Sequence, residues 1–377
     1  MTRNRLGTLE IARFMSRYWQ RRPLLVRGAF PAFRDPLSPA QVLALAASDA
    51  AQSRLVRHIG KKWTVEDGPI PTSRFKQLPR RDWTVLVQDT NHFSARAAAL
   101  LQRFDFIPHA RIDDVMVSYA VPGGSVGPHV DSYDVFLLQG RGRRRWQISR
   151  QEDHRFVPGL PLKVLQRFEP GEEWTLEAGD MLYLPPGIAH HGVAESECLT
   201  WSIGFRAPTD AEIVEGFLDH LRDRPVAAGQ YADPGAPPIR HPGEIPTPMI
   251  EHAARAIGAI RWSEAEIREY AGRHLSEVKA HVFFTPPPVA LARKAFATRA
   301  RRQGLVLDRR SRLVFSGTMF FINGERVAVP ARARKAVRQL ADRRRLGGPI
   351  HAPDEFFDVA HPWYQQGFIA LQAGEEA

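Results

Sequence analysis

The 377-residue sequence has a single cysteine, Cys198, and no apolar run that approaches the roughly 20 residues of a membrane-spanning helix. The lone cysteine excludes an internal disulfide and any metal site built from several cysteines. Residues 1–7 are polar and basic and no apolar stretch follows them, which argues against a cleaved secretory signal. These absences predict a protein that does not contact a membrane and that works in a reducing, cytoplasmic compartment.

Acidic residues are also in short supply. The chain has 52 Lys and Arg against 41 Asp and Glu, which gives a formal net charge of +11 and a pI near 10.2. A basic surface favours polyanions such as RNA. A proteome that is rich in arginine would produce the same excess, since arginine greatly outnumbers lysine here. Charge alone therefore does not identify a nucleic-acid-binding protein.

Short apolar segments between glycine and proline turns dominate the sequence from Trp83 to Phe205. The predicted strands are Thr84–Gln88, Asp114–Tyr119, Val135–Leu138, Arg145–Ile148, Met181–Leu184 and Leu199–Phe205. Many short strands at this spacing predict a mainly β domain of the sandwich or jelly-roll type. Before them, apolar residues at helical spacing predict a helix around residues 11–18, and a strand at 23–26 and a helix at 39–51 follow.

A middle section with helical signals follows the β pattern. Thr209 with Glu212, and Ser263 with Glu266, have the spacing of helix capping boxes. Residues 225–248 are rich in proline and glycine and predict a linker or extended arm. We therefore predict that residues 1–208 form the catalytic domain and that residues 209–282 form a helical segment that could pair two subunits.

The last part of the chain, residues 283–377, mixes helical and strand patterns. Asn323-Gly324 is a strong hairpin-turn signal between two strand-like segments. A helix is predicted at Ala331–Arg345. Helix plus hairpin in this order is compatible with a small α+β domain of the winged-helix type.

The residues that indicate chemistry are His129, Asp131 and His190. His129 and Asp131 alternate on one predicted strand, so their side chains share a face. A His supplied by a strand of the facing sheet would complete a set of two histidines and one carboxylate, which suits iron(II) because three coordination positions stay open. A His-x-Asp pair alone is common by chance. Spacing alone does not decide whether His190 or His191 is the third ligand. We favour His190 because it follows the Pro185-Pro186-Gly187 turn by a short step.

Arg144 lies on a segment whose residues alternate in character. Arg144, Trp146 and Ile148 share one face, and two of the three are apolar, so this face is predicted to be buried. A buried arginine needs an anionic partner. Its planar fork can hold a carboxylate through two hydrogen bonds. The partner is either the distal carboxylate of 2-oxoglutarate or a protein acid in a salt bridge.

Five segments of the sequence are long enough to compare with known families: residues 18–25, 113–140, 142–146, 179–187 and 201–208. These segments resemble the bacterial JmjC-type ribosomal oxygenases, the arginine 3-hydroxylases of the sixteenth large-subunit ribosomal protein. The resemblance covers most of residues 10–222 closely and the C-terminal region loosely.

The resemblance implies a specific architecture and activity. It implies a cupin-like double-stranded β-helix, a helical dimerisation segment that makes a homodimer, and a C-terminal winged-helix domain. The implied reaction uses iron(II), 2-oxoglutarate and dioxygen to hydroxylate the β-carbon of an arginine in a ribosomal protein. By motif, the metal ligands fall on His129, Asp131 and His190, the 2-oxoglutarate-binding residue on Arg144, and further co-substrate contacts on Ser118 and Ser202.

Three other functions remain open. A cupin metalloenzyme that does not use 2-oxoglutarate would leave Arg144 without its proposed partner. A JmjC-type demethylase would act on a methylated lysine or arginine. A nucleic-acid-binding protein would use the basic C-terminal region, where cationic residues recur along one predicted helix: Arg332, Arg334, Lys335, Arg338 and Arg343.

Acidic residues near the predicted metal site have two interpretations. Asp113, Asp114 and Asp134 could attract the guanidinium of an arginine substrate. Ordinary hydrogen bonding at the ends of strands would explain the same residues.

Overall fold

The computed structural model describes residues 5–60, 62–222 and 229–372. The described residues form two compact units that divide between Ala207 and Pro208. The first four residues of the predicted linker at 225–248, residues 225–228, lie outside the described residues. Within the described ranges, no helix combines the length and the apolar character that crossing a membrane requires. The division into three domains at 208 and 282 stays a prediction.

The first unit mixes short helices and strands in its N-terminal part and consists of strands from β7 (Ile112–Ala120) onwards. Its helices are α1 (Ile11–Arg17), α2 (Pro39–Ala46), α3 (Thr72–Lys76), α4 (Thr90–Phe93) and α5 (Ala95–Leu101). Its strands are β1 (Arg5–Leu6), β2 (Leu9–Glu10), β3 (Leu24–Val26), β4 (Ser53–Ile59), β5 (Lys62–Asp67), β6 (Trp83–Val87), β7 (Ile112–Ala120), β8 (His129–Val130), β9 (Asp134–Gln139), β10 (Arg144–Ser149), β11 (Glu172–Leu176), β12 (Met181–Leu184), β13 (Ala189–Ala194) and β14 (Cys198–Phe205).

Two antiparallel sheets make up most of this unit. The larger sheet has eight strands in the order β3-β12-β9-β14-β7-β6-β4-β5, and the smaller has four in the order β11-β10-β13-β8. Apolar side chains of β9 and β12 meet those of β10 and β11 in one cluster between the sheets: Val135, Leu137, Trp146, Ile148, Leu176, Leu182 and Leu184. The sheets therefore face each other as in a double-stranded β-helix, which confirms the predicted fold class.

The opposite face of the larger sheet packs against the N-terminal helices. Phe14 of α1, Val42 of α2 and Ala97 of α5 are fully buried in a cluster that also contains Trp201 and Phe205 of β14. Apolar residues at helical spacing in α1 and α2 thus form the faces that cover the sheet. This packing fixes the strands that carry the site.

Two differences between the observed and the predicted elements lie in the N-terminal part of this unit. The helix predicted at 39–51 ends at Ala46, where Ala47 is the C-cap, and residues 48–51 form turns. The hairpin of β4 and β5, which extends the larger sheet at one edge, was not predicted. Charged residues such as Arg54 and Arg57 interrupt its apolar pattern, so the sequence gives it a weak strand signal.

The second unit carries helices at its beginning and two small sheets after them. Its helices are α6 (Asp210–Arg222), α7 (Thr247–Gly258), α8 (Glu264–Ser276), α9 (Arg293–Gln303), α10 (Arg334–Arg343) and α11 (Asp354–Gln365). Its strands are β15 (Gly304–Leu307), β16 (Leu313–Ser316), β17 (Met319–Ile322), β18 (Glu325–Val327), β19 (Arg345–Gly347) and β20 (Ile369–Leu371). The sheets have the orders β19-β15-β20 and β16-β17-β18.

Local sequence signals in this unit are confirmed. The Ser263 hydroxyl accepts the Glu266 backbone N–H, and the Glu266 carboxylate accepts the Ser263 N–H, as in a capping box. Asn323 and Gly324 both have positive φ, 51° and 87°, and join β17 to β18 in a tight hairpin. Short-range turn and cap chemistry therefore determined these element ends.

Several basic residues near α10 make contacts inside the unit. Arg332 lies 3.8 Å from the carboxylate of Glu355, and Arg334 donates to the Val329 carbonyl. Arg338 donates to the carbonyl of Gly317, and its guanidinium lies over aromatic rings of β16 and β17. Intramolecular packing thus uses three of the five predicted cations, and contact with nucleic acid stays a prediction.

Candidate active site

His129 and His190 lie on adjacent strands of the smaller sheet. β8 pairs with β13 in antiparallel register, and His190 is directly opposite His129. Side chains opposite each other project from the same face, and the two imidazole rings are 4.2 Å apart between centroids. The expectation that His190 comes from the facing sheet is therefore wrong. After β8 the chain crosses to the larger sheet and then returns, so β13 becomes the direct neighbour of β8.

Asp131 follows β8 and completes the cluster. Its carboxylate oxygens lie 3.6 Å from Nε2 of His190 and 4.0 Å from Nε2 of His129. One atom from each of the three residues lies within 4.8 Å of the others, and no second such His, Cys, Asp or Glu group was found among the described residues. The Gly187 N–H donates to the Asp131 carbonyl, so the turn before β13 is tied to this residue.

Hydrogen bonds to the backbone set the tautomer of both histidines. Nδ1 of His129 lies 2.9 Å from the Gly127 carbonyl oxygen, and Nδ1 of His190 lies 2.9 Å from that of Ile188. A carbonyl can only accept, so Nδ1 carries the proton and Nε2 presents its lone pair. Burial, and then the nearby His129, lower the pKa of His190 to about 4. His190 is therefore neutral at physiological pH, as a metal ligand must be.

His191 points away from this cluster. Its Nε2 lies 3.1 Å from the hydroxyl of Ser125, and its ring meets Phe168 edge-on. The structure thus places His190 in the cluster and His191 outside it. Consecutive side chains of a strand point to opposite faces, so the strand β13 directs His190 and His191 in opposite directions. Spacing along the sequence alone could not show which of the two enters the cluster.

Tyr133 is a residue of this site that the sequence analysis missed. Its hydroxyl hydrogen-bonds to Asp131, and burial together with the negative charge of Asp131 strongly raises its pKa. The hydroxyl therefore keeps its proton and can donate to the carboxylate. Its position two residues after Asp131 was the available signal, but the hydroxyl contact depends on the backbone turn after β8.

Arg144 is buried on the inward face of β10, together with Trp146 and Ile148, as predicted. Its Nη1 donates to the Ser118 hydroxyl at 3.1 Å, whereas its buried Nε has no hydrogen-bond partner in the part of the chain that the structure describes. The Cys198 thiol also contacts this guanidinium. Within the described residues no carboxylate pairs with Arg144, so the structure contradicts the alternative of a salt bridge to a protein acid.

Ser118 and Ser202 lie on neighbouring strands of the larger sheet. Ser118 of β7 contacts Arg144 directly. Ser202 of β14 is opposite Leu137 of β9, whose side chain belongs to the cluster between the sheets. Ser202 therefore shares the inward face and is 8% exposed. Both serines line the interior that also holds Arg144.

The three acids near the site differ in their surroundings. Asp134 is fully buried and accepts hydrogen bonds from Tyr183 at 2.6 Å, Arg111 at 2.8 Å and Gln20 at 3.0 Å. The idea that it attracts a substrate is therefore wrong, because its oxygens are used inside the fold.

Asp113 and Asp114 both contribute negative charge at Tyr133, which places them beside the cluster. Asp113 lies 3.4 Å from Arg206, and Asp114 accepts the backbone N–H of Asp89. They supply local negative charge and also stabilise the fold.

The chemistry of these donors fits a metal ion with a bound dicarboxylate. Two neutral imidazoles and one carboxylate form a donor set that suits iron(II) and occupies one side of an ion. The guanidinium of Arg144 has a buried N–H that no described residue accepts, and a carboxylate would satisfy both its charge and its hydrogen bonding.

Comparisons with known proteins bear on both units. The JmjC domain family matches residues 99–213, and the ROXA-like winged helix family matches residues 259–370. The ribosomal protein uL16 3-hydroxylase of Escherichia coli is 36% identical over 329 residues, which cover 86% of this chain and 87% of that protein. The chain belongs to the JmjC-type ribosomal oxygenases. Its fold class, a JmjC cupin with a winged-helix domain, is thereby confirmed.

Other ribosomal oxygenases show the same similarity. A probable ribosomal oxygenase of Haemophilus influenzae is 39% identical over 209 residues, covering 54% of this chain and 51% of that protein. The solved structure of the Escherichia coli ribosomal oxygenase YcfD in complex with cobalt and 2-oxoglutarate is 32% identical. The match covers 97% of this chain and 99% of that one, with a TM-score of 0.84.

Proposed function

We propose that this ribosomal oxygenase uses iron(II), 2-oxoglutarate and dioxygen to hydroxylate the β-carbon of an arginine in the large-subunit ribosomal protein uL16. The proposal rests on two features that lie inside the same barrel, a metal-ligand cluster and a buried arginine. Three side chains form a His-Asp-His cluster, and Arg144 is buried in the same interior without an acidic partner among the described residues. The similarity to the Escherichia coli enzyme supports the choice of substrate.

His129, Asp131 and His190 are the proposed metal ligands. The carbonyls of Gly127 and Ile188 hold the two imidazoles with Nε2 directed at a common point. When bound, the iron and its co-substrates supply the oxidising power that inserts one oxygen atom into a C–H bond, with 2-oxoglutarate converted to succinate and carbon dioxide. The protein supplies position, because a displacement of about 1 Å can reduce the rate on the order of 100-fold.

Arg144, Ser118 and Ser202 are the proposed contacts for 2-oxoglutarate. The guanidinium faces the interior, so it can hold the carboxylate that is distant from the metal. Charge-assisted hydrogen bonds of this kind contribute about 1.5–3 kcal/mol each. The Ser118 hydroxyl, which accepts a hydrogen bond from Arg144, holds the fork in place.

The substrate arginine is proposed to approach the acids beside Tyr133. Asp113 and Asp114 give this edge of the cluster negative charge, which attracts a guanidinium. Because the chain as a whole is basic and uL16 is a basic ribosomal protein, local rather than overall charge has to guide the encounter.

Mass spectrometry of ribosomal proteins from cells with and without this gene tests the proposal. We expect uL16 to carry the mass of one additional oxygen atom on an arginine only when the gene is present. A demethylase would instead remove methylene units from a target. A cupin enzyme that does not use 2-oxoglutarate would release no succinate in a purified assay.

A homodimer in the cytoplasm is the proposed state of the protein. Apolar side chains on α6 and α7 are exposed in the single chain, among them Val214 at 55%, Leu218 at 59%, Ile250 at 54% and Ile257 at 69%. Exposed apolar faces of this kind favour association with a second surface. The cytoplasmic location follows from the proposed substrate, a ribosomal protein.

A further inference from the structure

The excess positive charge of the first unit is concentrated near its N-terminus. Between Glu10 and Asp35 the chain has six arginines and no acidic residue. Residues 35–207 are balanced, with 20 lysines and arginines and 20 aspartates and glutamates. A composition that is merely rich in arginine would distribute its excess charge over the whole unit. The concentration in one short segment therefore calls for a local explanation.

Four of these arginines project from α1 and from the turn that follows it. Arg13 and Arg17 are four residues apart in α1, so they share one face of the helix, and Arg21 and Arg22 lie in the turn. All four are exposed. None of them forms an ion pair with a residue that the structure describes. We call these four residues the N-terminal arginine patch.

The patch is held by the fold rather than carried on a loose tail. The opposite face of α1 is buried against the larger sheet through Phe14. Arg22 donates to the carbonyl of Arg17, and its guanidinium lies 4.6 Å from the centroid of the Tyr18 ring. Groups that are already in position lose less conformational entropy when a ligand binds. The patch is therefore suited to bind an anion.

Gln20 connects the patch to the strand that follows the metal ligands. Its side-chain amide donates to Asp134, and its backbone N–H donates to the hydroxyl of Tyr183. Asp134 begins β9, three residues after Asp131. Positive charge at this place repels a basic protein such as uL16. The patch therefore requires a partner other than the substrate protein.

We propose that the N-terminal arginine patch binds the phosphate backbone of RNA. The choice of RNA rests on the proposed function, because a ribosomal protein belongs to a particle of RNA and protein. Planar guanidinium groups match the oxygens of a phosphate and hold them through paired hydrogen bonds. No large apolar side chain of residues 5–58 is exposed, so the patch lacks the apolar face with which a helix enters a lipid surface.

The test is RNA binding by the full chain and by a variant in which glutamine replaces all four patch residues: Arg13, Arg17, Arg21 and Arg22. Fluorescence anisotropy of a labelled single-stranded RNA of about 20 nucleotides gives the dissociation constant over a range of salt concentrations. We expect the constant to rise at least about tenfold in the variant. The slope of log affinity against log salt should fall by about 3, because four phosphate contacts are lost.

The matched control removes the same charge from four exposed arginines that each contact a carboxylate. Glutamine replaces Arg54, Arg143, Arg150 and Arg155, whose partners are Asp67, Glu195, Glu172 and Asp153. We expect the RNA affinity and the salt slope of this variant to stay close to those of the wild type. Equal losses in the two variants would show that only net charge matters and would overturn the inference.

Thermal unfolding shows whether the patch variant is folded. Its unfolding temperature should not fall, because the substitutions break no ion pair with a described residue and remove repulsion between Arg13 and Arg17. Wild-type affinity for RNA in a folded patch variant would overturn the inference.

Other anions separate RNA from alternative partners. Wild-type protein that binds vesicles containing phosphatidylserine, or polyglutamate, more tightly than RNA would overturn the choice of RNA. Hydroxylation of purified uL16 without RNA should be equal in wild type and patch variant, because the patch lies outside the metal and co-substrate sites. A wild type that binds RNA through the patch but leaves uL16 unmodified would support the inference and contradict the proposed function.

Discussion

The two neighbouring histidines of β13 differ in role because of a backbone contact. Nδ1 of His190 lies at the Ile188 carbonyl, which leaves Nε2 facing Asp131, whereas Nε2 of His191 lies at Ser125. The sequence contains the pair but not these contacts. It does contain the alternation that separates them once β13 is known to be a strand.

The first prediction concerns His129. In His129→Ala two ligands are left for the ion, so we expect loss of metal binding and at least a 100-fold lower rate of hydroxylation. Titration with Mn(II) followed by electron paramagnetic resonance measures binding apart from turnover. His191→Gln is the control and should bind the ion as the wild type does. A His129→Ala variant with wild-type metal affinity would show that the ligands were assigned wrongly.

The second prediction concerns Arg144. Arg144→Gln keeps a polar group but removes the charge, so the dissociation constant of 2-oxoglutarate should rise about 100-fold, the equivalent of about 3 kcal/mol. Arg143→Gln, on the exposed face next to it, should have no measurable effect. Similar affinities of the two variants would argue against a role for Arg144 in binding the co-substrate.

The sequence allowed the burial of Arg144 to be predicted, but not the role of other residues at the site. Alternation along β10 predicted its burial because the period of a strand is local information. Tyr133 could not be recognised in this way. Its significance depends on the contact of its hydroxyl with Asp131, which the strand period does not specify.

At the level of secondary structure, the strand segments of the barrel were largely predictable and their pairing was not. Met181–Leu184 was predicted with the observed bounds, and the other predicted strands are shifted by one or two residues. The pairing of β8 with β13 could not be predicted. β8 has two residues and little pattern of its own, and the distance along the chain to His190 is compatible with either sheet.

The third prediction concerns the packing of β10 against β13. In Gly192→Ala the new Cβ would lie 2.7 Å from the rigid, buried indole of Trp146, so ring and strand must shift. We expect the free energy of unfolding to fall by about 1–3 kcal/mol, the usual cost of overpacking. Metal affinity should also fall because His190 is two residues away.

Chemical denaturation measures this effect. Gly171→Ala serves as the control, since a Cβ there has its nearest neighbour at an ordinary 3.7 Å. Equal stability of Gly192→Ala and wild type would contradict the packing described here.

For the whole molecule, the fold class and the turn and cap signals of the C-terminal unit were accessible from the sequence. The β4–β5 hairpin was missed because Arg54, Arg57 and His58 obscure its strand pattern. Long motifs identified the family where short-range patterns could only indicate a jelly roll. The oligomeric state could not be predicted from these patterns, because an apolar helix face does not specify its partner.

The fourth prediction concerns the proposed dimer. Replacing Leu218 and Ile257 with Glu places charge on the exposed faces of α6 and α7, so we expect the double variant to sediment as a monomer. Ile59→Glu changes an equally exposed apolar residue of β4, 61% exposed, and should leave the dimer intact. A wild-type chain that sediments as a monomer at micromolar concentration would refute the assembly.

The most direct measurement of the central claim is a single reaction of purified protein with uL16, iron(II), 2-oxoglutarate and ¹⁸O₂. Mass spectrometry then compares the labelled oxygen on the substrate arginine with the succinate released. We expect one labelled oxygen per succinate, and no modification when iron(II) or 2-oxoglutarate is omitted. An unmodified uL16, or a modification that continues without 2-oxoglutarate, would contradict the account.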